Sequence, residues 1–291
     1  VALIDNILQN LFGFSKAMYT TWFYYRCERI LFDAGEGIST ILGNRVFGIQ
    51  KVFITHGHYD HIGGVPGLVL TRNSAMGDKE KALSIYYPAG DHLVELLRDY
   101  IEKSCPNLTF SLLWHPIHTG MEIELTSYPF KKFLKTFPTR HIKGRTTLGY
   151  NLIEERKRLK KEFQGINSED LKNIVKQKGK EYITEKYEKI LLSYVGDTAP
   201  IDSSLFKGTE VLMYEASFLT DAERKFSVHS TLEEALKLAF TSQASALIVY
   251  HISSRYPKEE LVKKATQIVN TVSPTFPVIM ILQARKYQLN S

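Results

Sequence analysis

His56, Gly57, His58, Tyr59, Asp60 and His61 place three imidazoles and a carboxylate in six consecutive positions. Nitrogen and oxygen ligands of this kind suit a divalent transition metal, zinc above all. A polar turn is the structural alternative for any single member, since isolated histidines are usually surface or core residues. The density of the cluster is what a turn does not explain. Residues 51–55 alternate into a β-branched run, so the histidines fall in the loop just past a strand. Loops at strand ends are where chemistry usually sits. Gly63-Gly64 lets that loop turn tightly into the next helix.

Four ligands in one loop cannot enclose two ions, and three later positions repeat the same placement. His141 follows a strand-like run at 133–137, Asp197 follows the run ending at Val195, and His251 ends the run 246–250. Taken singly, each could simply begin a turn.

The elements that must position these residues are largely strands. Residues 21–25 and 29–33 predict a hairpin, and 84–87 a strand ending at Pro88. Residues 65–70 have the apolar content of a buried helix. Asp91 can cap a helix running to about Lys103, with Leu93, Leu96, Leu97 and Tyr100 on one face. Further strands are expected at 148–153, 190–195 and 211–214, and helices at 231–240 and 258–270. Two β-rich halves with interleaved helices imply an α/β fold in which two sheets face each other with helices outside. No repeat, linker or low-complexity tract divides residues 1–291, which read as one domain.

The chain has 291 residues, 44% of them hydrophobic, which is enough for a well-buried core. Its two cysteines, Cys27 and Cys105, form neither a CxxC pair nor a disulfide framework, so a reducing cytoplasm is the expected compartment. No run of about 18 apolar residues is present, so no membrane span is expected. A formal charge of +6 favours a polyanionic partner, although charge describes association and not fold. Residues 154–190 stand apart as a charged insertion, with eleven Lys/Arg against eight Asp/Glu. Leu159 and Phe163, then Leu171, Ile174 and Val175, suggest two short helices joined near 165–168.

The motifs THGHYDHIGG, PTRHIKGRTTLGY, GDT, EASF, VHST and HISSRY occur in that order, and the set resembles the ribonuclease Z family of tRNA 3′-processing endonucleases. The resemblance spans nearly the whole chain, from about Phe14 onward. It implies a metallo-β-lactamase fold, a four-layer αββα sandwich, carrying a charged, helical arm insertion at about 154–190. It implies two Zn2+ per subunit, with Mn2+ or Fe as alternatives. His56, His58 and His141 would hold one ion, Asp60, His61 and His251 the other, and Asp197 would bridge them.

The reaction implied is endonucleolytic removal of the 3′ trailer from precursor tRNA, leaving a 3′ hydroxyl. Asp60 would take the proton of the attacking water. His229 would protonate the leaving 3′ oxygen, held in the right tautomer by Glu215. Outside the resemblance, Glu215 is equally a strand-end carboxylate and His229 a turn residue before a helix that Ser230 or Thr231 could cap. Arg255 could fork onto a substrate phosphate, or be a surface arginine.

The arm departs from most relatives, being shorter and free of proline between Tyr150 and Val195, which resembles a short-arm subgroup. Arg156, Lys157, Arg158, Lys160 and Lys161 would meet RNA phosphates there, the alternative being a solvated helical pair. Gly13-Phe14-Ser15-Lys16 replaces the family's opening loop, whereas Asp33-Ala34-Gly35-Glu36-Gly37 still fits. A homodimer is implied by resemblance alone. Two other functions compete: a hydrolase of a small phosphodiester, thioester or lactone on the same fold, and a non-catalytic RNA-binding protein.

Overall fold

A computed structural model describes residues 2–76, 81–126, 128–224 and 227–290. A helix α1 (Ala2–Asn10) leads into β1 (Leu11–Lys16), β2 (Thr20–Tyr25) and β3 (Ile30–Phe32), the last two forming the expected antiparallel pair. Then come α2 (Ile38–Leu42), β4 (Lys51–Phe53), α3 (Tyr59–Ile62), α4 (Val65–Met76), β5 (Leu83–Pro88), α5 (His92–Ser104) and β6 (Leu112–Ile117). These six strands make one sheet in chain order.

The second sheet has eight strands: β7 (Glu122–Thr126), β8 (Lys132–Pro138), β9 (Leu148–Leu159), β10 (Thr184–Tyr194), β11 (Val211–Glu215), β12 (Leu247–Tyr250), β13 (Val278–Leu282) and β14 (Arg285–Gln288). Between β9 and β10 lie α6 (Ser168–Lys178) and α7 (Lys180–Ile183), after β11 comes α8 (Leu232–Thr241), and after β12 comes α9 (Lys258–Val272).

Three apolar clusters define four layers. Phe23, Phe32, Phe53, Tyr150, Tyr194 and Tyr250 meet between the sheets. Leu236, Ala239, Leu261, Ala265 and Val269 of α8 and α9 cover the outer face of the large sheet, while Ile38, Leu68, Val69 and Val94 of α2, α4 and α5 cover the small one. Both faces of each sheet are therefore buried, which is why β2 and β11 are buried at every position.

β3 and β4 are parallel, as are β10, β11 and β12. β8 pairs antiparallel to β9, which pairs antiparallel to β10, so β8 points the same way as β10. The carboxyl ends of these six strands carry Asp33, His56, His141, Asp197, Glu215 and His251 into one set of loops.

Two expectations differ from the structure. The arm is mainly a long β-hairpin: β9 runs on to Leu159 and β10 begins at Thr184, while helix is confined to α6 and the single turn α7, separated by Gly179. Residues 13–16 lie within β1 and not in a loop, with Gly13 placed where a Cβ would overlap the Phe23 ring. Leu93, Leu96, Leu97 and Tyr100 share one face of α5, as expected; that face lines a surface groove with Tyr59, Ile62 and Pro66, with Leu93 and Leu97 also packing on the core beside the buried Val94 and Ile101.

Candidate metal centre

The motif loop is shaped by two glycines that admit no side chain. The Gly57 N–H donates to Asp91 Oδ2 at 2.7 Å, and Asp91 also caps α5 by accepting from Leu93 and Val94 N–H. A Cβ on Gly57 would overlap that carboxylate, and one on Gly64 would overlap the Gly35 carbonyl oxygen. His58 is the N-cap of the one-turn α3, so Asp60 and His61 stand on a short helix facing His56 across the turn.

Seven side chains converge from four stretches of chain. Ligand atoms of His56, His58 and His141 lie within 4.8 Å of one another, as do those of Asp60, His61, Asp197 and His251. His58 Nδ1 is 3.2 Å from His141 Nε2. Asp197 Oδ2 is 3.3 Å from His61 Nε2, 3.2 Å from His251 Nε2 and 4.0 Å from His141 Nε2, so it touches both groups. Asp60 Oδ2 is 3.3 Å from His251 Nε2 and 3.7 Å from His61 Nε2. His251 holds a left-handed backbone (φ 59°) rarely taken by residues with a Cβ, and its N–H is fixed by Ser15 Oγ at 2.9 Å.

In four of the five histidines the ring nitrogen facing away from the cluster has a partner. His61 Nδ1 meets Asp33 Oδ2 at 2.7 Å, His56 Nδ1 meets Thr55 Oγ1 at 3.0 Å, His141 Nδ1 meets the Val228 carbonyl at 3.1 Å, and His251 Nδ1 meets Ser217 Oγ at 3.0 Å. The inward atoms differ: His56 Nε2, His61 Nε2 and Asp197 Oδ1 are buried without a hydrogen-bond partner among the described residues. Buried polar atoms are normally satisfied, and this pattern of outward bonds with bare inward lone pairs is how metal-binding imidazoles are held. The donor set therefore fits a divalent metal ion.

Charge agrees with that fit at the three-histidine group. Burial pushes His56, His58 and His141 below the usual histidine range, keeping them neutral with lone pairs available. Burial alone would raise the Asp197 carboxyl, but the facing imidazoles of His251 and His61 hold it well below the usual range. Asp60 is lowered against its own burial, chiefly by His61. Burial opposes a proton on His61, yet the carboxylates of Asp197, Asp33 and Asp60 outweigh it and raise this imidazole well above its ordinary value.

Beside the cluster, His229 Nδ1 lies 2.7 Å from Glu215 Oε1. Glu215 is fully buried, and its remaining capacity is filled by the Thr198 and Ser217 N–H groups at 3.1 and 2.9 Å. Burial would lower His229, but the Glu215 carboxylate outweighs it and raises the imidazole to about 9. The His229 ring sits 4.8 Å from His141 and 5.5 Å from His251, centroid to centroid. The helix that follows is capped by Thr231, which forms a capping box with Glu234, so His229 has no capping role.

The remaining candidates lie outside this cluster. Arg255 is exposed, stacks on Phe218 with 4.8 Å to the ring centroid, and donates to Ser253 Oγ and the Glu223 carbonyl. Arg156 pairs with Glu154, Lys157 with Glu181, and Arg158 with Glu185, while Lys160 donates to the Tyr182 carbonyl. Lys161 lies exposed in the 3-10 turn Lys161–Phe163.

Sequence reasoning missed Asp33. It is fully buried, adopts φ 52°, and gathers bonds from Thr55 N–H and Oγ1–H, the Tyr194 hydroxyl and His61. It sits directly after β3, the same strand-end placement that singles out Asp197 and His251. Thr55 and Ser217, which serve His56 and His251, carry no signal beyond membership of the motifs THGHYDHIGG and EASF.

Known proteins resemble this chain along most of its length. The beta-lactamase superfamily domain family matches residues 28–160. Ribonuclease Z of Methanocaldococcus jannaschii is 31% identical over 297 aligned residues, covering 92% of this chain and 90% of its own. Ribonuclease Z of Listeria monocytogenes is 32% identical over 269 residues, covering 83% of this chain and 85% of its own. In structure, human tRNase Z, short form, aligns with a TM-score of 0.60 at 24% identity over 84% of this chain and 93% of its own. The metallo-beta-lactamase fold protein YhfI of Bacillus subtilis aligns with a TM-score of 0.63 at 16% identity over 95% and 98%. The structural likenesses establish the metallo-β-lactamase fold, and the sequence identity, sustained along nearly the full length of both chains, narrows it further: the chain belongs to the ribonuclease Z family.

Proposed function

We propose that the protein is a zinc-dependent endoribonuclease that cleaves the 3′ trailer from precursor tRNA. The observation that carries this reading is the pair of adjoining ligand groups, three histidines on one side and two histidines with two aspartates on the other, with Asp197 touching both. His56, His58 and His141 would hold one ion, Asp60, His61 and His251 the second, and Asp197 both. Two divalent ions in such a site acidify water and offset the negative charge that develops on phosphorus during in-line displacement.

The chain's own groups handle the protons. Asp60, partly buried at one edge of the cluster, accepts the proton of the attacking water. His229, held by Glu215 with its Nδ1 engaged, presents Nε2–H to the leaving 3′ oxygen. Phosphorus gains one oxygen and loses another, so the tRNA keeps a 3′ hydroxyl and the trailer a 5′ phosphate. The raised affinity of His229 for its proton keeps the acid form populated at neutral pH.

A homodimer belongs to the same proposal. The outward face of α5, where Leu96 and Tyr100 are exposed next to Tyr59, is a contiguous apolar surface suited to a second copy. Among the described residues no helix is long and apolar enough to cross a membrane.

The deciding experiment incubates the protein with a 5′-labelled tRNA precursor and zinc, and maps the product ends. A single product with a 3′ hydroxyl at the trailer junction is expected. Absence of a discrete product, with turnover of a thioester, a lactone or a small phosphodiester instead, would replace this reading by that of a small-molecule hydrolase.

A further inference from the structure

Ser217 lies two residues beyond Glu215, and its hydroxyl sits between two imidazoles of different duty. Its Oγ is 3.0 Å from His251 Nδ1 and 3.2 Å from His229 Nδ1, and the two rings are nearly parallel, 20° apart. Ser217 is buried at 5% exposure, and its backbone is pinned on both sides, its N–H by Glu215 Oε2 at 2.9 Å and its carbonyl by the Ser253 N–H at 3.2 Å.

We infer that Ser217 is a positioning residue that imposes one tautomer on both rings and so couples the metal site to the proton donor. The inference rests on the metal-site reading above. A serine oxygen has two lone pairs and can accept two N–H groups at once. His251 turns Nε2 toward Asp60 and Asp197, so a neutral ring that offers a lone pair there must carry its hydrogen on Nδ1. Among the described residues, Ser217 Oγ is the hydrogen-bond partner of that Nδ1. His229 Nδ1–H is shared between Glu215, the closer partner, and the same serine oxygen. Both rings are thereby fixed with Nδ1–H outward and Nε2 toward the cluster, one as a lone pair and one as an acid.

The roles of the two acceptors differ, which separates positioning from simple packing. His229 Nδ1 keeps Glu215 if the hydroxyl is removed; His251 Nδ1 keeps no hydrogen-bond partner among the described residues. Ser217→Ala should therefore weaken one metal site and spare the other. Loss of an outer partner of a metal-bound histidine typically costs about 10- to 100-fold in affinity.

The test titrates apoprotein with zinc against a chelator at fixed pH, for the wild type, Ser217→Ala and Ser217→Thr, with circular dichroism to confirm folding. It is paired with 15N histidine NMR of the zinc-loaded forms. Ser217→Ala is expected to lower one of two stepwise affinities by about 10- to 100-fold and to move the His251 ring nitrogens away from the wild-type Nδ1–H pattern. Ser217→Thr, which keeps the hydroxyl, should restore most of that affinity. Unchanged affinities and ring shifts in Ser217→Ala, or equal loss at both sites, would overturn the proposal. None of these readouts involves RNA, so failure here and failure of the tRNA reading are distinguishable.

Discussion

Asp33 Oδ2 lies 2.7 Å from His61 Nδ1, and the same carboxylate reaches His56 through the Thr55 hydroxyl, which donates to Asp33 and accepts from His56 Nδ1–H. One buried acid thus orients a histidine from each of the two ligand groups. Asp33→Asn would put an NH2 in place of one of two oxygens that each accept from at least two donors, so those donors lose their acceptor. We expect zinc affinity to fall by about 10- to 100-fold at both sites together, measured by chelator competition. That contrasts with the single-site loss expected for Ser217→Ala. Retention of wild-type affinity at both sites would show that Asp33 serves the fold alone.

Glu215 and His229 predict a pH effect of defined sign. The carboxylate raises His229 to about 9 against the lowering effect of burial. Removing the charge with Glu215→Gln leaves burial opposed mainly by the weaker pull of Asp197, so His229 must lose its proton at lower pH. The acid form is needed for leaving-group protonation, so the alkaline limb of kcat/KM should move toward lower pH in Glu215→Gln. His229→Ala should remove that limb and cost about 10²- to 10⁴-fold in kcat, the usual span for a general acid. An alkaline limb that stays in place in Glu215→Gln would assign it to another group.

His58 separates chemistry from binding. Its Nδ1 faces His141 within the three-histidine group, and among the described residues no hydrogen bond, ion pair or ring contact joins His58 to the charged residues of the β9 and β10 hairpin. His58→Ala should abolish cleavage while tRNA retention in a gel shift stays near that of the wild type. Equal loss of both would mean that the metal centre also shapes the RNA-binding surface.

The candidate cluster is legible in the sequence because strand ends can be read from apolar runs, and a residue of metal-ligating type just past such a run recurs at His56, His141, Asp197 and His251. Asp33 obeys the same rule after β3 but has no neighbouring histidine to draw notice. The arm was harder. Residues 154–158 are all charged, so hydrophobic periodicity is silent there, and strand is decided by pairing across the hairpin instead. Opposed Arg158 and Glu185 bond directly, while the like-charged pair Lys157 and Lys186 resolves diagonally, onto Glu181 and Glu155.

The arm's charge pairing changes which lysines should matter for RNA. Lys157 and Arg158 already face carboxylates at 2.6 and 2.7 Å, so removing them also frees Glu181 and Glu185 to repel phosphate. Exposed ion pairs of this kind add little stability, so the fold should tolerate their loss. Lys161, Lys172 and Lys176 are different: they are exposed, and no hydrogen bond or ion pair engages them among the described residues; Lys172 and Lys176 also lie one turn apart on α6. Unpaired cations release phosphate counterions without first breaking a partner. Neutralising these three to glutamine should flatten the slope of log Kd for tRNA against log salt by roughly one for each phosphate no longer neutralised, with hydrolysis of a small phosphodiester unchanged. Pairwise charge reversal of Lys157 and Glu181, which preserves the bridge, should leave the slope nearly as it was. If the triple variant binds with the wild-type salt dependence, the arm tip does not meet the RNA backbone.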